Sequence, residues 1–171
     1  LDSTYLKTPE EAGNSIEENL VINQKFIQEA IDENFKLIMI RPNMVTLAKE
    51  MIMAQKSKLT IGTVIDFPNG NASLETKLAE AKIAIENGAD DLDFVCNYTA
   101  FKNGEIELLK EEIYQGTKLG LQSNKIVKWI IEGKEYNPAT ELSQYTYTYE
   151  LNVYAKFYEL NNDYTYEYDW E

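Results

Sequence analysis

The stretch GADDLDFVCNYTAF, residues 88–101, decides how this chain is to be folded. LDFVC (92–96) has the continuous apolar character of a strand buried on both faces, as in a parallel sheet, instead of the alternation of a half-exposed hairpin. One residue does not fit. Asp93 stands inside that run, where an unpaired carboxylate would cost several kcal/mol or take up a proton.

Upstream of this strand, SLETKLAEAKIAIENG (73–88) predicts a helix with Leu74, Leu78, Ala81 and Ile85 inward and Gly88 at its C-terminal end. LTIGTVIDF (59–67) predicts a strand closed by the turn residues Pro68, Asn69 and Gly70. Further back, KLIMI (36–40) is a strand stopped at Arg41–Pro42, and a helix spans about 44–55. SIEENLVINQKFIQEAIDENF opens with Ser15 and Glu18 in capping-box spacing, which predicts a helix over about 16–34 with Leu20, Ile27 and Ile31 on one face. LDSTYL at the start supplies a short first strand. Downstream, residues 105–119 predict a helix ended by Gly120, and KIVKWIIE (125–132) predicts the next strand.

A helix separates each strand from the next, the pattern of right-handed βαβ units around a parallel sheet. An open doubly wound sheet can end after this many units, whereas a closed eight-stranded barrel needs more. At 171 residues the chain has room for one ordinary core and not for two.

After residue 132 the composition changes. Residues 133–171 hold nine of the twelve tyrosines, with two basic against eight acidic side chains. Apolar or aromatic residues occupy the odd positions 145–157 and, after Asn161-Asn162-Asp163, the even positions 164–170. This period of two around a turn predicts a β-hairpin. The expected division is therefore 1–132 and a Tyr-rich acidic tail, 133–171.

Composition narrows the chemistry. Sixteen basic against 29 acidic residues give a formal charge of −13 with no basic cluster, which argues against nucleic acid as a partner. Apolar runs fall well short of the ~20 residues of a membrane helix, so no membrane partner is expected and a cytoplasmic protein is. Leu1 is not a start residue, and a natural start is expected to precede it. With no histidine and a single cysteine, Cys96, histidine-dependent nucleophiles and ordinary zinc sites are excluded. Carboxylates, lysines and hydroxyls are left.

Lys128, in VKWII, shares the oddity of Asp93: a charge in the middle of an apolar strand. In consecutive βα units the two strands are expected to be neighbours, so that at equal depth lysine and carboxylate offset each other's desolvation. A structural ion pair and a proton-transfer pair in a barrel mouth both fit. Asp90, Asp91 and Asp93 could be taken for a metal cluster, but a solvated loop explains the first of them better.

LDSTYLK, the MIRP strand end, GTVIDFPNG, ETKLAEAKIAIENGADDLDFVCNYTAFKNGE and KIVKWIIE, in this order, resemble the N-terminal part of deoxyribose-phosphate aldolase over residues 1–132. The resemblance implies an α/β fold, an incomplete (β/α) TIM-type barrel of about five βα units; the tail that follows, 133–171, is expected to be unrelated to the family, a Tyr-rich acidic β-hairpin or poorly ordered. It implies retro-aldol cleavage of 2-deoxy-D-ribose 5-phosphate to D-glyceraldehyde 3-phosphate and acetaldehyde through a lysine Schiff base, with a phosphorylated sugar as ligand and no metal or other cofactor. By the same resemblance Asp93 relays protons, Lys128 is the active-site lysine of the following strand, and Asp2 and Thr4 belong to the LDxT substrate-binding segment. Ser3 stands where many members have histidine.

The family's Schiff-base lysine lies in a KTSTGF-like stretch on a later strand, and no such stretch occurs in these residues. Lys128 looks like the only buried lysine, and beside Asp93 its pKa is expected to rise, which suits a counter-ion and not a nucleophile. The expectation is an aldolase lineage without activity in this chain alone, with the tail covering one open sheet edge or a second copy covering the edges. The alternative is a non-catalytic module acting through the tail.

Overall fold

Five strands, Asp2–Tyr5 (β1), Leu37–Ile40 (β2), Thr60–Ile65 (β3), Asp91–Val95 (β4) and Ile126–Ile130 (β5), form one sheet in the computed structural model. All neighbours are parallel and the order is β1-β2-β3-β4-β5. The structure describes residues 2–130; the hairpin expected after residue 132, and the boundary before it, lie outside the described residues.

The strand order separates the two architectures the sequence allows. A doubly wound sheet reverses its direction of growth at a switch point, whereas a barrel adds each strand on the same side of the last. Here growth never reverses. The described unit is an arc of a (β/α) barrel, an α/β fold.

Helices Ile16–Asp32 (α2), Val45–Gln55 (α3) and Leu74–Asn87 (α4) pack on one face of the sheet. Their Ile27, Ala30, Ile31, Val45, Ala48, Ile52, Ala81 and Ala84 meet Ile38, Ile40, Ile61, Ile65, Leu92 and Phe94 of the strands in a single core. The opposite face carries a smaller apolar cluster of Leu37, Met39 and Val64, flanked by Leu6, Phe67 and Ile130. This is the inner face of the arc, and by strand alternation Asp2, Thr4, Asp91, Asp93 and Lys128 lie on it too.

Several local expectations change. Two short helices, Pro9–Ala12 (α1) and Tyr98–Lys102 (α5), are too brief for apolar periodicity to reveal. In α2 the buried stripe starts at Asn19 and Asn23, not at Leu20, which is 39% exposed. In α4 the fully buried positions are Lys77, Ala81 and Ala84, while Leu74, Leu78 and Ile85 are only partly covered. The sixth helix, Ile106–Gln122 (α6), runs through Gly120 instead of ending there. A Cβ at Gly120 would collide with Val127, and one at Gly116 with the Trp129 ring. These two glycines, four apart on one face, let α6 settle against β5. They serve close packing, not termination.

Candidate active site

Parallel pairing sets Asp93 directly beside Lys128 and Val64. One layer nearer the strand starts, Thr4, Met39, Gly62, Asp91 and Ile126 form a row. Asp2 lies a further layer back, level with Leu37 and Thr60. The structure thus brings Asp93 and Lys128 together. It leaves Asp2 and Thr4 on the same face but on β1, three strands from β4, or roughly 14 Å at ordinary strand spacing.

Asp91 joins the pair. The first residue of β4 is buried, 7% exposed, and its Oδ2 is 3.1 Å from Lys128 Nζ. Asp93 Oδ1 is 3.6 Å from the same ammonium, close enough for attraction but too long for a hydrogen bond. That oxygen is buried and has no hydrogen-bond partner among the described residues. Burial raises the Asp93 pKa above the ordinary carboxylate value; the Lys128 charge pulls the other way without cancelling it, and Asp91 adds to the rise. For Lys128, partial burial disfavours the charge, but the hydrogen bond to Asp91 and the two carboxylate charges outweigh it and its pKa is raised, as the sequence suggests.

Among the described residues the buried lysine is Lys77, not Lys128. The Lys128 side chain is 45% exposed, whereas that of Lys77 on α4 is 0% exposed. Lys77 Nζ donates to Gly70 O at 2.8 Å, to Val95 O at 2.7 Å and to Glu112 Oε1, with Asp66 Oδ2 at 3.5 Å. Its three hydrogens are committed, so no carbonyl can approach it. The network ties the loop after β3 to the end of β4. Glu112 Oε2 accepts from Asn97 N, Asp66 Oδ2 from Ala72 N, and Glu80 Oε2 from Asp66 N. Gly70 is required there: its φ is +65° and a Cβ would strike the Cys96 carbonyl. The spacing of Lys77 to Ala81 and Ala84 was the available sequence signal.

Arg41, just past β2, fastens the neighbouring loops. Its Nε donates to Leu6 O at 2.7 Å, its Nη1 to Phe67 O at 3.3 Å, and its guanidinium lies over the Phe67 ring. A pocket of about 310 Å³ opens beside it, lined by Lys7, Thr8, Asn19, Asn23 and Asn43, but it includes neither Asp93 nor Lys128. Among the described residues no group of three or more histidine, cysteine or acidic side chains is arranged to hold a metal ion, and Asp90 pairs instead with Lys125 at 3.2 Å. No described helix is long and apolar enough to cross a membrane.

No family model matches the chain. Individual proteins do. The deoxyribose-phosphate aldolase of Mycoplasmopsis pulmonis is 35% identical over 166 residues, which cover 97% of this chain and 69% of that protein. The chain belongs to the deoxyribose-phosphate aldolase family. The match is long enough to extend beyond residue 132 into the Tyr-rich stretch. The deoxyribose-phosphate aldolase of Thermococcus gammatolerans is 38% identical over 108 residues, 63% of this chain and 48% of its own. Among solved structures, the tetrameric deoxyribose-phosphate aldolase from Aeropyrum pernix superposes with a TM-score of 0.61 at 26% identity, covering 80% of this chain and 52% of that one. The aldolase QR15 superposes with a TM-score of 0.62 at 25% identity, over 80% and 56% of the two chains. The chain spans about half the length of the first curated deoxyribose-phosphate aldolases it matches.

Proposed function

We propose that residues 2–130 carry the proton-handling half of a deoxyribose-phosphate aldolase site, acting on 2-deoxy-D-ribose 5-phosphate. The observation that supports this reading is the register-matched pair on the inner face: a half-buried carboxylate with one buried, unpartnered oxygen, next to an ammonium. In the cleavage, an amine of the full site condenses with the C1 aldehyde and expels water. Asp93 takes the proton of the 3-hydroxyl, the C2–C3 bond breaks, glyceraldehyde 3-phosphate leaves, and the electron pair enters the iminium as an enamine. Asp93 then returns the proton to C2, and hydrolysis frees acetaldehyde. Lys128 steadies the negative charge that passes through Asp93, and Asp2 and Thr4 contact the sugar from β1.

These 171 residues do not perform the cleavage alone, because their sequence holds no KTSTGF-like stretch to supply the condensing amine and Lys128 is held as an ammonium by two carboxylates. Borohydride trapping with acetaldehyde tests this. The chain alone should show no specifically labelled lysine; mixed with the C-terminal half of a relative's barrel, the lysine of that half should be labelled. Specific labelling of Lys128 in the chain alone would refute the assignment. We also infer self-association that covers the edge strands β1 and β5, and sedimentation should find species larger than one chain.

A further inference from the structure

The side chain directly opposite Lys128 is Asp93, yet the ammonium does not settle there. It leans back one layer to Asp91, whose Cα partner on β5 is Ile126. The two separations, 3.1 Å to Asp91 Oδ2 and 3.6 Å to Asp93 Oδ1, lie on opposite sides of the limit for a charge-assisted hydrogen bond. We propose that Asp91 is a positioning residue: it holds the Lys128 ammonium away from Asp93 and so keeps Asp93 Oδ1 free to take and return a proton. The proposal rests on the reading of Asp93 as the proton-transferring group.

The surroundings explain why Asp91 wins. On the β3 side it faces Gly62, which offers no side chain, and the space above that glycine is filled by the Met39 thioether. Of the two carboxylates Asp91 is the more buried, with its side chain 10% exposed against 16% for Asp93. A buried carboxylate bounded by a glycine and a thioether needs the cation more. Asp93 faces the apolar Val64 on β3, Lys128 on β5 and Asp91 on its own strand. Were Lys128 to close on Asp93, the carboxylate would be locked in its ionised form and Asp91 left as an unpaired buried charge. Two carboxylates in one site thus divide the work: Asp91 holds the ammonium, and Asp93 exchanges the proton.

Carboxyl ¹³C titration of the full chain tests this by NMR, without turnover. In Lys128→Met, a change at a half-exposed side chain, the Asp91 midpoint should rise further than that of Asp93. Asp91→Asn should lower the Asp93 midpoint by about one pH unit, the low end of what neighbouring charges command. That drop should shrink clearly when Lys128→Met is already present, because part of it comes from the lysine moving over. An Asp93 midpoint that responds more to Lys128→Met than Asp91 does would overturn the proposal. So would an Asp91→Asn effect of equal size with and without Lys128. These titrations stand or fall independently of aldol cleavage, so an inactive complemented barrel would count against the proposed function and leave this result untouched.

Discussion

Lys77 in the first turn of α4 and Glu112 on α6 meet as a buried ion pair behind the end of β4, with side chains 0% and 2% exposed. The pair joins two helices, and through Gly70 O and Val95 O it also joins the loop after β3 to the strand that carries Asp93. Removing the cation alone strands the Glu112 and Asp66 carboxylates. We expect Lys77→Met to cost about 3–5 kcal/mol of unfolding free energy. The double variant Lys77→Met/Glu112→Leu should recover much of that loss. Urea unfolding of the three proteins measures both, and equal stability of Lys77→Met and the parent would contradict the arrangement.

Asp93 predicts a pH signature. Burial raises its folded-state pKa above the ordinary 3.8, so its contribution to stability is greatest below that value and is lost as pH rises through the folded pKa. Asp93→Asn removes the charge that must be buried at neutral pH. Its melting temperature should therefore exceed the parent's at pH 7, and the advantage should fade as the pH is lowered past about 4. An advantage independent of pH would mean that packing, not charge, sets the difference.

Gly120 offers a prediction whose sign is decided by contact. In an exposed helix, glycine to alanine stabilises by about 1 kcal/mol. Here the new methyl would strike Val127, so Gly120→Ala should instead destabilise by about 1–3 kcal/mol. Thermal unfolding gives the sign directly.

Arg41 bridges Leu6 O and Phe67 O, which belong to the loops after β1 and β3. Lysine cannot reproduce the fork of donors or the stacking on Phe67. Arg41→Lys should speed amide hydrogen exchange in both loops while leaving that of β4 and β5 unchanged.

Strands β2 to β5 were legible as mainly apolar runs between helices, and the pairing of Asp93 with Lys128 followed from the two charges that interrupt consecutive strands. What escaped was polar and inside. Lys77 and Asn23 are 0% and 2% exposed, yet lysine and asparagine in a helix suggest a solvated face until their partners, Glu112 on another helix and Asn19 one turn back, are known. Asn19 accepts from Asn23 Nδ2 and itself donates to Tyr5 Oη at 3.2 Å, contacts that no local pattern encodes. Asp91 was missed because the strand begins one residue earlier than its apolar run. Gly120 misled for a related reason: a helix-ending residue and a close-packing residue are the same letter.

The most direct test of the central claim is retro-aldol turnover of 2-deoxy-D-ribose 5-phosphate by the chain complemented with the C-terminal half of a relative's barrel, comparing the parent with Asp93→Asn. The account predicts cleavage that falls at least about 100-fold in the variant, the scale of a lost acid–base group. Cleavage at the parental rate in Asp93→Asn would contradict it.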